Sequence, residues 1–299
     1  VAIVTLEVIA GMWINAFIVC VLCIAWMKKK TLNSNEKILL LLGYSRFCYL
    51  CISWVYKFLS LIYPSYLYVH NILQLAVFFR SFFNCSNLWV SACLCVFYCI
   101  KIANFRNRFF IYLKVKTDRI VPWLLLGSGI LALAMGIIAY DVADKPHCNN
   151  RNSTGRGNFG TANIKMDKHF FPSFFFAGFV FAASFMAVIF SAVFLLFSLW
   201  RHKCKMQTNS MKDLSMEAHI RAMKSILSFF IMYSINFVCL VLEMVYVTKK
   251  GSHMTFLIVV FQYTFPGLHS FILVFSNPKL EKTLLKILSL ERSIKCKAC

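Results

Sequence analysis

Acidic residues are scarce in this 299-residue chain, with 11 Asp and Glu against 32 Lys and Arg. Helix breakers are scarce as well, at 6 Pro and 11 Gly. The first shortage leaves a formal charge of +21, and the second leaves long stretches that nothing interrupts. No Gly-rich phosphate loop, Walker pattern, HExxH, GxSxG or paired CxxC occurs, so the common signatures of phosphoryl transfer, zinc hydrolysis and acyl transfer are missing. The lone Cys296-x-x-Cys299 stands in a basic tail, where it reads as a lipidation site or as nothing. Neither an enzyme nor a cofactor or metal is expected. The net charge would suggest nucleic acid in a soluble protein, but the Lys and Arg fall between apolar runs instead of interleaving with aromatics on one face, so no nucleic-acid partner is expected.

What the chain has is hydrophobic surface. Sixty per cent of its residues are hydrophobic and 31 are Phe, well above the roughly half expected of a soluble domain. Lipid is the expected solvent. A helix needs about 20 apolar residues to cross the hydrocarbon core, and seven stretches qualify, at about 2–27, 38–62, 72–100, 121–140, 172–200, 226–247 and 254–275. The fold class read from them is an all-α membrane protein, a seven-transmembrane helix bundle over residues 1–275. Beyond it, Asn277-Pro278 breaks the last span, and Leu280, Leu284, Leu285, Ile287, Leu288 and Leu290 recur among Lys279, Lys282, Lys286 and Arg292. That pattern predicts a short amphipathic helix on the inner leaflet, within a basic tail over 276–299. The first run is longer than a signal peptide's apolar core and lacks a basic leader, so it is expected to remain in the mature protein. Most of the 13 cysteines lie inside the spans and read as free buried thiols.

Basic residues set the orientation. Twenty-two of the 32 Lys and Arg fall in the first, third and fifth connections and the tail, seven fall on the opposite side, and three lie within spans. The tail is therefore expected in the cytoplasm and the amino terminus outside. The sequon Asn152-Ser153-Thr154 agrees, because it stands in a polar connection assigned to the outside and marks Asn152 as a glycosylation site. A second match at Asn84-Cys85-Ser86 sits at the membrane edge, where a transferase has poor access.

Ionisable residues inside a bilayer cost about 2.5 to 3.5 kcal/mol each on an insertion scale, so each needs a partner or a role. Glu7, Lys57, Arg80 and Glu243 lie near the outer face, where snorkelling accounts for them. Arg46 lies deeper, about two turns from the cytoplasmic end, and is expected to donate to carbonyls or side chains of neighbouring helices. Asn236 and Gln262 are amides in apolar surroundings and also require partners. Cys85 at the outer end of the third span and Cys148 in the outer connection form a candidate disulfide.

Several motifs go further. Glu7, Gly11, Asn15, Phe17-Ile18 and Trp26, Ser45-Arg46, Leu88-Trp89, and Phe97-Tyr98-Cys99-Ile100-Lys101-Ile102-Ala103-Asn104-Phe105 are followed by Ser198-Leu199, His202, Met206, Asp213, Ala218-His219, Ala222 and Ser228-Phe229. The last group is Pro266, His269-Ser270-Phe271-Ile272-Leu273-Val274 and Asn277-Pro278-Lys279-Leu280. In this order they closely resemble the type 2 taste receptors, the bitter receptors, which are G-protein-coupled receptors. The sequence departs from that family at Leu22, where Asn is common and could bond the second-span Arg. It departs again at Cys93, where several members carry Asn, and at Val259, which replaces an acidic residue found in some.

The resemblance implies a small, largely apolar bitter compound bound among the outer halves of the helices. Trp89, Val90, Cys93, Asn236, Val259 and Gln262 would line that site, although Trp89 also suits an interfacial aromatic belt. Arg46, Tyr98, His219, His269 and Ser270 become structural or switch residues. Lys101, Arg106, Lys116, His202, Lys205 and Lys224 become contacts for a heterotrimeric G protein of gustducin or Gi type, though for any one lysine the positive-inside bias is sufficient reason. Membrane lipid, with sterol as one candidate, is the remaining partner. Most bitter receptors lack a disulfide like Cys85 to Cys148. The rival class is a multi-span transporter or channel, which would be expected to show internal repeats or facing midplane charges. The orientation is directly testable: an antibody tag fused after Cys299 is expected to stain permeabilised cells only, and staining of intact cells would reverse the topology.

Overall fold

A computed structural model of the chain describes residues 2–63, 72–102, 108–151, 170–207, 227–242 and 253–298. Their regular structure is helical: α1 (Ala2–Lys29), α2 (Ser34–Ile62), α3 (Ile72–Ile102), α4 (Arg108–Arg151), α5 (Phe170–Gln207), α6 (Leu227–Leu242), α7 (His253–Ser276) and α8 (Pro278–Ala298). Six of them, α1 to α5 and α7, are long and apolar enough to cross a membrane, and α6 is a shorter apolar helix. Large apolar side chains such as Leu6, Trp13, Val115, Trp123 and Phe179 point outward at high exposure, as lipid-facing surfaces require.

Helix ends do not follow hydropathy. α4 has 44 residues, about 66 Å at 1.5 Å per residue, so its polar ends continue as helix well past the apolar stretch at 121–140. α2 begins at Ser34 because Asn33 caps it: the Asn33 amide donates to Glu36 Oε2 at 3.1 Å in a reciprocal capping box. α8 begins at Pro278, a residue suited to a first helical position, with the Asn277 side chain accepting from the Lys279 amide at 3.0 Å.

Inside lipid, helices gain little from hydrophobic association and are held by close packing and polar contacts. α3 is the central rod, packed against α2, α4 and α5, and its residues Cys85 to Leu88 and Val90 to Cys95 are buried. One core cluster joins α1, α2, α3 and α7 through Ile18, Leu22, Leu42, Val90, Leu94 and Val274, and includes Leu280 of α8. A second joins α3, α5, α6 and α7 through Leu88, Val188, Phe229, Tyr233 and Phe265.

α1 and α7 cross where both carry glycine. A Cβ on Gly267 would stand 3.1 Å from the Gly11 Cα, which is backbone and cannot yield. Gly127 on α4 has nothing within 4 Å. Gly267→Val is therefore expected to cost about 1–3 kcal/mol of stability through overpacking, while Gly127→Val is tolerated. Thermal melts of the two variants in detergent check this, and equal melting temperatures would show that the crossing is not close.

Candidate functional site

The site begins with a charge in the wrong solvent. Arg46 of α2 is fully buried, and a guanidinium taken from water into an apolar interior loses several kcal/mol of hydration. Its fork has five N–H donors, and partners on α3 and α7 make four contacts with them. Nε donates to Asn87 Oδ1 at 2.7 Å, Nη1 to Ser270 Oγ at 2.8 Å and Nη2 to Ser91 Oγ at 3.0 Å. Nη2 also meets His269 Nδ1, and the guanidinium carbon lies 5.8 Å from the centre of the Phe265 ring. Ser270 passes the link onward by donating to Asn15 Oδ1 at 2.7 Å, while Asn15 Nδ2 donates to the Gly11 carbonyl at 2.7 Å. One residue thus ties α1, α2, α3 and α7 together through neutral acceptors.

A second polar node sits on α6. Tyr233, fully buried, donates to the Leu88 carbonyl at 3.3 Å or the Ser184 hydroxyl at 3.2 Å, tying α6 to α3 and α5. Rings connect the two nodes. Phe229 lies 5.7 Å from Tyr233 and 4.5 Å from His269, and Phe265 lies 6.3 Å from Tyr233 and 5.6 Å from His269.

The residues singled out as ligand contacts face several directions. Trp89 packs with Cys85, Ala132, Met135 and Val180, between α4 and α5, and its Nε1 is buried without a partner among the described residues. Val90, one residue on, belongs to the core shared with α1 and α2. Val259 packs against Val4, Val8, Tyr49, Leu50 and Tyr263. Cys93 is a buried free thiol, and Asn236 and Gln262 are both buried, with Asn236 Nδ2 unpartnered among the described residues. Cys85 is a free thiol buried between α3, α4 and α5, so its burial accounts for it without the candidate bridge to Cys148. An apolar cleft of about 400 Å³ lies between α6 and α7, lined among others by Ile235, Val238, Leu242, Leu257 and Phe261.

At the lysine-rich end, Lys101 of α3 pairs with Asp118 of α4 at 3.5 Å, and Asp118 accepts from Ser34 of α2 at 2.6 Å. Glu36 of α2 pairs with Lys279 of α8. Lys116 is exposed and donates to its own helix neighbour Tyr112 at 2.7 Å. Tyr98 is packed between the main core and Cys99, Leu195 and Phe110. Asn152, Arg106, His219 and Lys224 lie outside the described residues, as do the side chains of Cys148, His202 and Lys205.

Sequence reading missed Asn87 and Ser91 as partners of Arg46. Their signal was present: polar residues four apart share one face of an otherwise apolar helix, and a buried donor elsewhere needed such a face. With Leu22 where relatives carry Asn, it gave no residue for the link from Arg46 to α1. Leu22 is a fully buried core residue, and the link runs through Asn15 and Ser270 instead.

Fold and hub define a multi-pass helical membrane protein whose spans are fastened by a buried cation. Residues 1–292 match the family described as taste receptor protein (TAS2R). The chain is 32% identical over 292 residues to taste receptor type 2 member 7 of Macaca mulatta, covering 94% of this chain and 90% of that protein. It is 30% identical over 301 residues to taste receptor type 2 member 9 of Homo sapiens, covering 97% and 92%. With Homo sapiens member 2 the identity is 28% over 291 residues, covering 96% and 95%. The chain belongs to the type 2 taste receptor family: it is a bitter taste receptor, a G-protein-coupled receptor of the plasma membrane, and not an enzyme.

Within the hub, Ser91 serves one bond and Ser270 serves two, one of which reaches α1. Ser91→Ala is expected to cost about 1 kcal/mol and Ser270→Ala about twice that. Melting temperatures of the purified variants give the ranking, and a reversed order would contradict the network.

Proposed function

We propose that the chain crosses the bilayer seven times, with α6 as part of the sixth span, the amino terminus outside and α8 on the cytoplasmic leaflet. A small, largely apolar bitter compound binds among the outer halves of the helices, with Trp89, Cys93, Asn236 and Gln262 as contacts, while Val90 and Val259, first read as lining the site, pack into the neighbouring cores. Apolar surroundings with a few polar anchors suit such ligands. The unpartnered amide nitrogen of Asn236 and indole nitrogen of Trp89 support this reading, because each is a buried donor that a ligand acceptor would satisfy.

The observation that carries the mechanism is the Arg46 hub. A ligand acts on a distant surface only by favouring one arrangement of the bundle. Helices joined by directional bonds to one buried cation shift as a group or lose those bonds, so Arg46, His269 and Ser270 make that arrangement discrete. Tyr98 and His219 relay it to the cytoplasmic face. There Lys101, Arg106, Lys116, His202, Lys205 and Lys224 meet a heterotrimeric G protein of gustducin or Gi type. Lipid, sterol included, covers the apolar faces, and Asn152 carries glycan on the outside.

Calcium imaging of cells co-expressing the chain with a gustducin-type chimeric G protein tests this reading. At least one compound of a broad bitter panel is expected to evoke a response, and Trp89→Ala is expected to weaken it about tenfold or more. Silence across the panel, with surface expression confirmed, would refute it.

A further inference from the structure

His269 has two ring nitrogens, and the hub uses one. Arginine offers donors only, so the nitrogen that meets Arg46 Nη2, Nδ1, must accept, and the proton of the neutral ring sits on Nε2. Nε2 is buried, within a fully buried residue, and has no hydrogen-bond partner among the described residues. A buried donor left unmet loses the hydration it had in water and gains nothing in return. The same residue lines a cavity of about 30 Å³ between α3, α5, α6 and α7, together with Cys95, Tyr98, Leu195, Phe229 and Leu273.

Size decides what such a space can hold. It is far below the roughly 300 Å³ at which drug-sized pockets begin, yet above the 10–15 Å³ or so that one water requires. A buried water also requires polar partners, commonly two to four. Besides Nε2–H, the walls offer Tyr98. Its phenolic hydroxyl can donate as well as accept. The Cys95 thiol is already directed at the Val188 carbonyl, at 3.9 Å.

We propose that this cavity is a binding site for one water molecule, which accepts from His269 Nε2–H and from the Tyr98 hydroxyl and so couples the Arg46 hub to the Lys101 end of α3. His269 and Tyr98 act as positioning residues. The site stands on geometry alone, while its part in signalling rests on the proposed receptor mechanism.

Two readouts keep these apart. In a high-resolution structure of the full-length chain in lipid nanodiscs, density for one water is expected within hydrogen-bond distance of His269 Nε2. A dry cavity overturns the site, whatever the signalling results. In cells, His269→Asn leaves an acceptor where Nδ1 stood but no donor at Nε2, and is expected to raise the half-maximal agonist concentration about tenfold. His269→Gln, whose amide reaches the Nε2 position, is expected to recover part of that loss. Tyr98→Phe, a smaller change to folding, is expected to show the loss of His269→Asn. Wild-type sensitivity in Tyr98→Phe overturns the coupling. If the wild type answers no compound, the receptor mechanism fails and the density still decides the water site.

Discussion

A guanidinium placed in the apolar middle of a helix bundle constrains everything around it. Arg46 is fully buried, and its partners are two serines, an asparagine and a histidine, with no carboxylate among them. Such a cation is tolerable only while nearly all its donors are met, because each one lost leaves charge exposed to a medium that cannot solvate it. The requirement fixes positions on other helices: α3 must present Asn87 and Ser91 one turn apart, and α7 must present His269 and Ser270 in adjacent positions. Since consecutive helical residues point about 100° apart, His269 and Ser270 reach the same fork only if α7 lies with that edge turned toward α2.

Close approach of α1 follows from the same arrangement. Ser270 reaches Asn15 across the crossing at which Gly11 and Gly267 meet, four residues before Asn15 and three before Ser270. A side chain at either glycine would separate the rods just where a serine hydroxyl must bridge them. Small residues and polar bond are therefore one device, with glycine setting the distance and Ser270 using it. Pro266, beside Gly267, removes the backbone bond to the Gln262 carbonyl and adds a point at which α7 can bend.

Six long apolar helices were legible because lipid imposes a length of apolar sequence, and Arg46 was legible because a charge within such a helix is costly. Its partners were harder to see. Serine and asparagine inside an apolar run scarcely alter hydropathy, and which face they occupy becomes meaningful only once the neighbouring helix is placed. Helix ends were hidden for a related reason: hydropathy marks what lipid touches, whereas α4 is extended by backbone bonds that continue outside it. Trp89 and Val90 show the same limit at the site. Adjacent in sequence, they face α4–α5 and α1–α2 respectively, and only packing separates them. Glu36 with Lys279, 243 positions apart, had no local signal at all.

How the helices are fastened also ranks their freedom to move. Among the described residues, α1, α2, α3 and α7 share directional hydrogen bonds at the hub, while α6 meets it through rings, with Phe229 against His269 and Tyr233 against Phe265. A hydrogen bond weakens steeply with misalignment, whereas stacked or edge-on rings keep contact over a broad range of offsets. Displacing α6 relative to the hub therefore costs less than displacing any of the other four. Among the described residues, a polar restraint on α6 is Tyr233, whose hydroxyl donates to the Leu88 carbonyl or the Ser184 hydroxyl at the long end of the hydrogen-bond range, 3.3 and 3.2 Å. Leu88 immediately precedes Trp89, so a ligand that shifts Trp89 bears on that restraint through one peptide unit. The bundle is thus stiff around its buried cation and soft along α6, with the join between the two beside the proposed ligand contact.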